Sequence, residues 1–356
     1  MEEPMVVEAA RVMIPPIVSF LIGIAIAPIL SHYLYKYRAW KKVAGKGKGM
    51  GGGGTPIFDE LHKEREVSTP RMGGILIWVS VLVTAFGISL FDTLFGEPFH
   101  TLGFVARNQT WLPLFALTVG ALVGLIDDLL EVTKGGGGLS IRIRLAVVGA
   151  IGLACGWWFY EKLDVSSVGI PLSQPLELGI FFIPFFVLVT MLVYASGIID
   201  GIDGLAGGVF AIVFMAYAGI AFTQDQIALA GFAAATAGAV LAFLWFNVPP
   251  ARFYLSETGS MALTLALTLT AFTADTLGEG VGVFVLPILA FPLAATVFSN
   301  IIQVGSKKFL GRKVFRAAPV HHHFEALGWP PYKVTMRYWI ITIIGGAFGL
   351  TLALLS

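Results

Sequence analysis

The sequence has little charge and almost no cysteine. Lysine, arginine, aspartate and glutamate make up 13% of the 356 residues, whereas soluble domains carry roughly a quarter. Together with a mean hydropathy of +0.83, this excludes an ordinary soluble domain. The single cysteine, Cys155, excludes an intramolecular disulfide. The net charge of +1 is too small to indicate binding to a polyanion, and we expect no nucleic-acid partner.

Long apolar segments predict an all-α polytopic membrane protein that forms one domain over residues 1–356. A transmembrane helix needs about 20 apolar residues, and the alternating strands of an outer-membrane barrel are absent. The acidic start, MEEP, is unlike the basic region of a cleaved signal peptide, so we expect the first helix to be retained. About ten transmembrane helices are predicted, at 12–35, 73–95, 112–130, 143–160, 178–198, 205–223, 227–246, 259–276, 281–303 and 335–355.

The distribution of lysine and arginine predicts the orientation. These residues concentrate in a glycine-rich loop at 36–72 and in a loop at 304–334, and they are few in the alternate loops. Because cytoplasmic loops carry the excess of basic residues, both termini should lie outside. Residues 43–54 are typical of a flexible linker. We interpret Gly135 to Gly138 as a hinge, with a phosphate cradle as the alternative.

The first polar motif follows the fifth predicted helix. Asp200 and Asp203 are each followed by a glycine, and an apolar run resumes directly afterwards. Carboxylates at the mouth of a membrane helix are costly and usually functional. Asp-Gly pairs form tight turns with exposed N–H groups, so this segment could hold a divalent cation beside an anion. The alternative is an acidic turn that only ends the helix.

Further acids occupy the same predicted cytoplasmic side. Asp127 and Asp128 end the third helix, and they point about 100° apart. We therefore expect one to bind or deprotonate a ligand while the other orients a neighbour. Acids are unfavourable at a helix C-terminus, which argues against a plain helix end. Glu257 precedes the eighth helix, where a carboxylate either caps the helix or ligates a hard cation.

Three consecutive histidines, His321, His322 and His323, lie before the last predicted helix, near Arg316 and Glu325. Consecutive histidines without cysteines do not fit the spacing of zinc ligands. We interpret them as part of an anion site, with a solvated polar loop as the alternative. Carboxylates, Mg²⁺ and basic groups at a membrane surface together predict phospho-sugar transfer to a lipid.

The motifs together resemble those of the polyprenyl-phosphate N-acetylhexosamine-1-phosphate transferases. The resemblance covers roughly residues 60–355 and rests on TPRMGG, the Asp127–Asp128 pair, DGIDGLAGG, FLWFN with SETGS, and HHHFEALGW. HHHFE followed by LGWP is most similar to the branch that uses UDP-N-acetylmuramoyl-pentapeptide. The resemblance implies transfer of phospho-N-acetylmuramoyl-pentapeptide to undecaprenyl phosphate, which gives lipid I and UMP. It further implies Mg²⁺, the bacterial inner (cytoplasmic) membrane and a possible homodimer.

The resemblance also implies roles for individual residues. Asp127 would be the base on the lipid phosphate, and Asp128 would support the metal and the pyrophosphate. Glu257 stands where the family has a metal-binding aspartate, with Asp203 as a second ligand. His321 to His323 would contact the diphosphate or the sugar. The predicted substrate-binding residues are Asp200, Gly204, Leu205, Asn247 and Tyr254, of which Tyr254 would stack on uracil.

Several positions depart from the family pattern. Besides Glu257, the departures are Tyr194 and Gly197 in place of asparagines, and Glu66 and Glu131 in place of lysines. They leave open a sister transferase that moves N-acetylglucosamine 1-phosphate, and an inactive lipid-binding homologue. A transporter is disfavoured, because the acids lie at helix ends rather than near the midplane.

Overall fold

The computed structural model describes residues 3–42, 66–96, 102–133, 137–276 and 280–356. Most of these residues are α-helical, which confirms the predicted helical class. In the described part, the strands are a short antiparallel pair, β1 (Ser167–Val168) and β2 (Leu176–Glu177), with Ser167 opposite Glu177. The linker at 43–54 and two residues of the predicted hinge, Gly135 and Gly136, lie outside the described residues.

The described α-helices follow the apolar segments. They are α1 (Glu3–Lys36), α2 (Gly74–Phe95), α3 (Trp111–Thr133), α4 (Ile141–Lys162), α5 (Phe182–Ser196), α6 (Leu205–Thr223), α7 (Ile227–Asn247), α8 (Ser256–Thr276), α9 (Gly282–Leu289), α10 (Phe291–Leu310), α11 (Val320–Ala326) and α12 (Pro331–Leu354). Short 3₁₀ turns at Gly179–Phe181 and Gly197–Ile199 flank α5.

Among the described residues, eight helical segments are long and apolar enough to cross a membrane. They comprise α1 to α7 and α12, with α5 extended by its two 3₁₀ turns. The bent pair of α9 and α10 makes a ninth if it counts as one span. The chain is therefore a multi-pass membrane protein, and the predicted total of about ten spans stays a prediction.

The remaining predicted span, 259–276, corresponds to α8, which is buried along most of its length and contacts α2, α3, α5 and α9. Its threonines lower its hydropathy without leaving buried hydroxyls unsatisfied. Thr264, Thr268 and Thr273 donate to the carbonyls of Ser260, Thr264 and Leu269, one turn earlier. A helix with this composition lies at the centre of the bundle rather than against lipid.

Two predicted segments near the C-terminus contain structure that the sequence did not indicate. The span predicted at 281–303 is bent by 77° between α9 and α10. Pro292, at the start of α10, has no N–H and disfavours continuation of the preceding helix. The segment predicted as a loop at 304–334 contains the end of α10 and the whole of α11.

Glycines bring α2, α3 and α8 into backbone contact at one end of the bundle. A Cβ atom added to Gly74 would lie 2.2 Å from the Gly259 nitrogen. A Cβ atom added to Gly124 would lie 2.2 Å from the Glu257 carbonyl oxygen. The missing side chains of glycine permit this close backbone approach. It also places the end of α3, with its two aspartates, beside the start of α8.

Candidate active site

The separate motifs meet at this end of the bundle, and we call the assembly the motif cluster. It comprises residues 69–74, Asp127–Asp128, 200–205, 247–260 and His321–His323. The Tyr254 N–H donates to the Pro70 carbonyl, and the Gly73 N–H donates to the Tyr254 carbonyl, both at 2.8 Å. The residue predicted to stack on uracil is therefore held by its backbone against the TPRMGG segment.

Asp128 is completely buried and joins three elements. Its Oδ2 accepts from the Thr258 N–H at 2.9 Å and from the Thr258 hydroxyl at 2.6 Å. Its Oδ1 lies 3.3 Å from both Nε and Nη2 of Arg71. These contacts fix the start of α8 and the TPRMGG segment against α3, which fits the orienting role expected of one aspartate.

Asp127 points toward the segment that follows α3. It is only 2% exposed, and its Oδ1 accepts a short hydrogen bond from the Leu139 N–H. A Cβ atom added to Gly138 would lie 2.5 Å from Asp127 Oδ1. The backbone of residues 138–139 therefore covers this carboxylate, and only glycine at position 138 permits that contact without displacement.

Arg144 connects Asp127 to Glu257. Its Nη1 donates a short hydrogen bond to Glu257 Oε1 and lies 3.7 Å from Asp127 Oδ2. Glu257 Oε2 lies 3.5 Å from the Ser260 hydroxyl. The side chains of Arg144 and Glu257 are 25% and 21% exposed, so this pair lies at the edge of the cluster rather than in its interior.

The two glutamates that replace family lysines belong to an ion network. Lys41 Nζ lies 3.2 Å from Glu66 Oε1 and 3.1 Å from Glu131 Oε1. Arg71 Nη2 lies 2.9 Å from Glu131 Oε2. Burial alone would lower the pKa of Arg71, but the carboxylates of Asp128, Glu131 and other acids outweigh burial and raise it. Arg71 therefore stays charged.

The DGIDG turn is attached to the connection between α7 and α8. Asp200 Oδ2 accepts from the Ser256 N–H at 2.9 Å, and Asp203 Oδ2 accepts from the Ala251 N–H at 3.1 Å. Asp200 thereby contacts the residue that precedes Glu257 in the chain. Asp203 and Glu257, the predicted pair of metal ligands, contact different partners.

Asn247 holds the start of α6 in place. Its Oδ1 accepts from the Gly204 N–H at 2.9 Å, and its Nδ2 donates to the Phe253 carbonyl at 2.9 Å. Gly204 has φ +77°, the left-handed conformation that favours glycine. Asn247 and Leu205 are both buried, so their predicted contact with substrate stays a prediction.

The three histidines differ in environment. His321 and His322 are 0% and 3% exposed, so the alternative of a solvated polar loop is wrong for them. His322 Nδ1 lies 2.6 Å from Glu325 Oε2. His323 Nδ1 instead accepts from the Arg316 N–H at 3.1 Å. A Cβ atom added to Gly201 would lie 2.7 Å from His322 Nε2, which places α11 directly against the DGIDG turn.

The carboxylates of the motif cluster do not converge as a ready-made metal centre. In the described ranges, no three histidine, cysteine, aspartate or glutamate side chains are placed to hold one ion. Asp127 and Glu257 nevertheless approach the same cation, Nη1 of Arg144. Their oxygens are the ligand type that a hard divalent cation prefers, so the donor chemistry fits a metal at this point.

Sequence reasoning missed Arg144 and Lys41, which lie beside the motif cluster, and it missed the contact of Thr258 with Asp128 inside it. One signal for Arg144 was available, because it lies in the first turn of α4. A positive charge there is unfavourable beside the helix dipole and indicates an acidic partner. Thr258 carries no comparable signal, since a threonine near a helix start is ordinary.

Comparison with known proteins gives a consistent result. A family model described as Glycosyl transferase family 4 matches residues 110–275. A phospho-N-acetylmuramoyl-pentapeptide-transferase of a Geobacillus species is 32% identical over 94% of this chain and 95% of its own. The proteins of the same name from Anoxybacillus flavithermus and Clostridium novyi are 31% and 28% identical, over 93% and 92% of this chain and 94% and 92% of theirs.

Proposed function

The chain belongs to the phospho-N-acetylmuramoyl-pentapeptide-transferase family, and from this we propose the reaction that it catalyses. It transfers phospho-N-acetylmuramoyl-pentapeptide from the UDP conjugate to undecaprenyl phosphate, and the products are lipid I and UMP. This is the first membrane step of peptidoglycan synthesis. We place the motif cluster on the cytoplasmic face of the bacterial inner membrane, with both termini outside and a possible homodimer.

One observation carries the proposal. Motifs from distant parts of the sequence are joined by direct contacts, from Arg71 through Asp128 and Thr258 to the start of α8. The DGIDG turn joins the same point through Asp200 and Ser256. A site assembled from this many segments brings acids, arginines and histidines together where a diphosphate and a lipid phosphate can meet.

Asp127 is the proposed base. It would accept the proton of the lipid phosphate, whose oxygen then attacks the β-phosphorus of the UDP-sugar. The bond from that phosphorus to the UMP oxygen breaks, and UMP leaves with the electron pair. Because the backbone at 138–139 covers Asp127, this segment has to move before the lipid phosphate reaches the carboxylate. Asp128 positions Arg71 and Thr258 and does not need to leave its contacts.

Mg²⁺ is the metal we propose, with Glu257 as its protein ligand and Asp203 as the predicted second ligand. When bound, the ion neutralises charge on the diphosphate. Asp203 contacts the Ala251 N–H in the structure, so its part in holding the ion requires that contact to change. The histidines of α11 lie beside the DGIDG turn, where they can contact the diphosphate or the sugar.

A sister reaction is the second candidate. Tyr194, Gly197 and Glu257 replace residues that the family pattern usually has near the sugar nucleotide and metal. Tyr194 is buried and interacts electrostatically with Arg144 and Glu257. The pocket beside Glu257 therefore differs from the usual one, which favours a test with a smaller donor, UDP-N-acetylglucosamine.

The test is UMP release by the purified full chain in detergent with undecaprenyl phosphate and Mg²⁺. UDP-N-acetylmuramoyl-pentapeptide and UDP-N-acetylglucosamine are offered in separate reactions. We expect release with the muramoyl donor only, and release with the hexosamine donor only assigns the sister reaction. Asp127→Asn should lower turnover while donor binding, measured by calorimetry, is kept. Unchanged turnover removes Asp127 from the role of base.

A further inference from the structure

Arg144 stands at the point where a metal would have to bind. Its Nη1 contacts Glu257 Oε1 directly and lies 3.7 Å from Asp127 Oδ2. Glu257 and Asp127 are 130 residues apart in sequence and come from α8 and α3, so their approach to one cation is a product of the fold. A guanidinium and a divalent ion cannot occupy the space between the same two carboxylates.

The surroundings favour an additional cation. The four acids Asp127, Asp128, Glu131 and Glu257 outnumber the three basic residues that contact them, which are Lys41, Arg71 and Arg144. A divalent ion carries twice the charge of a guanidinium. The excess of negative charge therefore attracts the ion more strongly than it attracts a guanidinium, because Coulomb energy scales with charge. An ion that enters this space must break the contact between Arg144 and Glu257.

We propose that Arg144 is a resident competitor of the divalent metal for the carboxylate of Glu257. This inference rests on the proposed function in one respect, because the competing metal is the ion that serves the proposed reaction. Arg144 Nε is buried and has no hydrogen-bond partner among the described side chains and backbone. Its contacts to Glu257 and Tyr194 are made with side chains, so the guanidinium can turn away from Glu257 when a metal arrives.

When a metal displaces the Arg144 guanidinium from Glu257, the guanidinium can contact another anion. A guanidinium freed from Glu257 stays charged, because arginine does not deprotonate in proteins. It also remains beside the site, and it can donate to a diphosphate oxygen in a charge-assisted hydrogen bond. Binding of the metal at Glu257 thus frees a hydrogen-bond donor, the Arg144 guanidinium, for the anionic substrate.

The test is direct titration of the purified full chain with Mn²⁺, followed by electron paramagnetic resonance without any substrate. Arg144→Gln keeps a polar side chain with the same carbons as far as Cδ and removes the charge. We expect it to bind Mn²⁺ about tenfold more tightly than the wild type, which corresponds to about 1.4 kcal/mol. Arg142→Gln, an exposed arginine on the same helical turn, is the matched control and should leave Mn²⁺ affinity unchanged.

Two further variants keep the test decisive. Arg144→Lys retains the charge and should give an affinity close to that of the wild type, which shows that charge rather than loss of packing is responsible. Adding Glu257→Gln to Arg144→Gln should abolish the gain. Equal or weaker Mn²⁺ binding by Arg144→Gln, in protein with an unchanged unfolding temperature, overturns the proposal. So does a gain that survives in the double variant.

The Mg²⁺ dependence of UMP release separates this inference from the proposed function. The wild type should need about tenfold more Mg²⁺ for half-maximal rate than Arg144→Gln, by the same free-energy difference. Absence of UMP release with either donor contradicts the proposed function, and the Mn²⁺ titration still decides whether Arg144 competes with metal.

Discussion

The two ends of α8 each carry a buried or half-buried acid, and the two acids are held in different ways. Glu257 and Asp275 lie 18 residues apart, or about 27 Å along the helix. Glu257 contacts the Arg144 guanidinium and faces two further acids on α3. Asp275 accepts from the backbone N–H groups of Gly169 and Val283, both at 2.9 Å.

The difference indicates that Asp275 has a structural role, whereas Glu257 is available for chemistry. Asp275 accepts from two backbone N–H groups of separate segments, so it fixes the residue after β1 and the start of α9 to the end of α8. Glu257 is held by a side chain that can exchange with another cation. We therefore assign structural support to the Asp275 end and chemistry to the Glu257 end.

The largest expected effect is that of Asp128→Asn, at the Glu257 end. It removes the charge that pairs with Arg71 inside the cluster, and breaking a buried pair costs about 3 to 5 kcal/mol. We expect a lower unfolding temperature in detergent and loss of UMP release. A variant that keeps both the wild-type unfolding temperature and turnover contradicts the central position given to Asp128.

The second-largest effect is expected from Gly138→Ala, which tests whether the backbone of residues 138–139 constrains Asp127. The added Cβ would lie 2.5 Å from Asp127 Oδ1, so the carboxylate or the segment must shift. A displacement of this size lowers turnover by roughly 10- to 100-fold. Gly137→Ala is the matched control, since an added Cβ there meets no atom within 4 Å. Equal rates for the two variants indicate that the cover does not constrain Asp127.

A smaller effect is expected from a matched pair on α8. Thr258→Val loses the hydroxyl hydrogen bond to Asp128 and keeps the one from its backbone N–H. A hydrogen bond to a charged group contributes about 1.5 to 3 kcal/mol. Thr273→Val, near the Asp275 end, loses only a bond to the Leu269 carbonyl. That carbonyl keeps its helical partner, so we expect a change below about 0.5 kcal/mol. Thermal unfolding of both variants in detergent measures the difference, and equal shifts remove the contrast between the two ends.

The smallest effect on turnover is expected from Asp275→Asn. The amide keeps one acceptor and leaves one of the two buried N–H groups unsatisfied, which costs about 1 to 3 kcal/mol of stability. UMP release at a temperature where the variant is folded should match the wild type. Loss of turnover in folded protein would show that the Asp275 end takes part in the reaction.

Local signals in the sequence were sufficient for much of the fold. The helices predicted at 227–246 and 259–276 match α7 and α8 within a few residues. Pro249 and Pro250, which cannot continue a helix, follow the end of α7. Features of this kind depend only on a residue and its immediate neighbours.

The candidate site was less accessible to sequence reasoning. Its acids stand out because charge is rare in this chain, but their partners depend on packing between distant helices. The pairing of Arg144 with Glu257 joins positions 113 residues apart, and no periodicity indicates it. Likewise, burial of His321 and His322 follows from α11 lying against the DGIDG turn, whereas their polarity alone left a solvated loop open as the alternative.

The most direct test of the account compares UMP release by wild type, Asp127→Asn and Asp275→Asn, each purified as the full chain and shown to be folded. The donor is UDP-N-acetylmuramoyl-pentapeptide and the acceptor is undecaprenyl phosphate, with Mg²⁺ present. The account predicts release by wild type and Asp275→Asn and little release by Asp127→Asn. Full release by Asp127→Asn with loss in Asp275→Asn would place the chemistry at the opposite end of the bundle and contradict it.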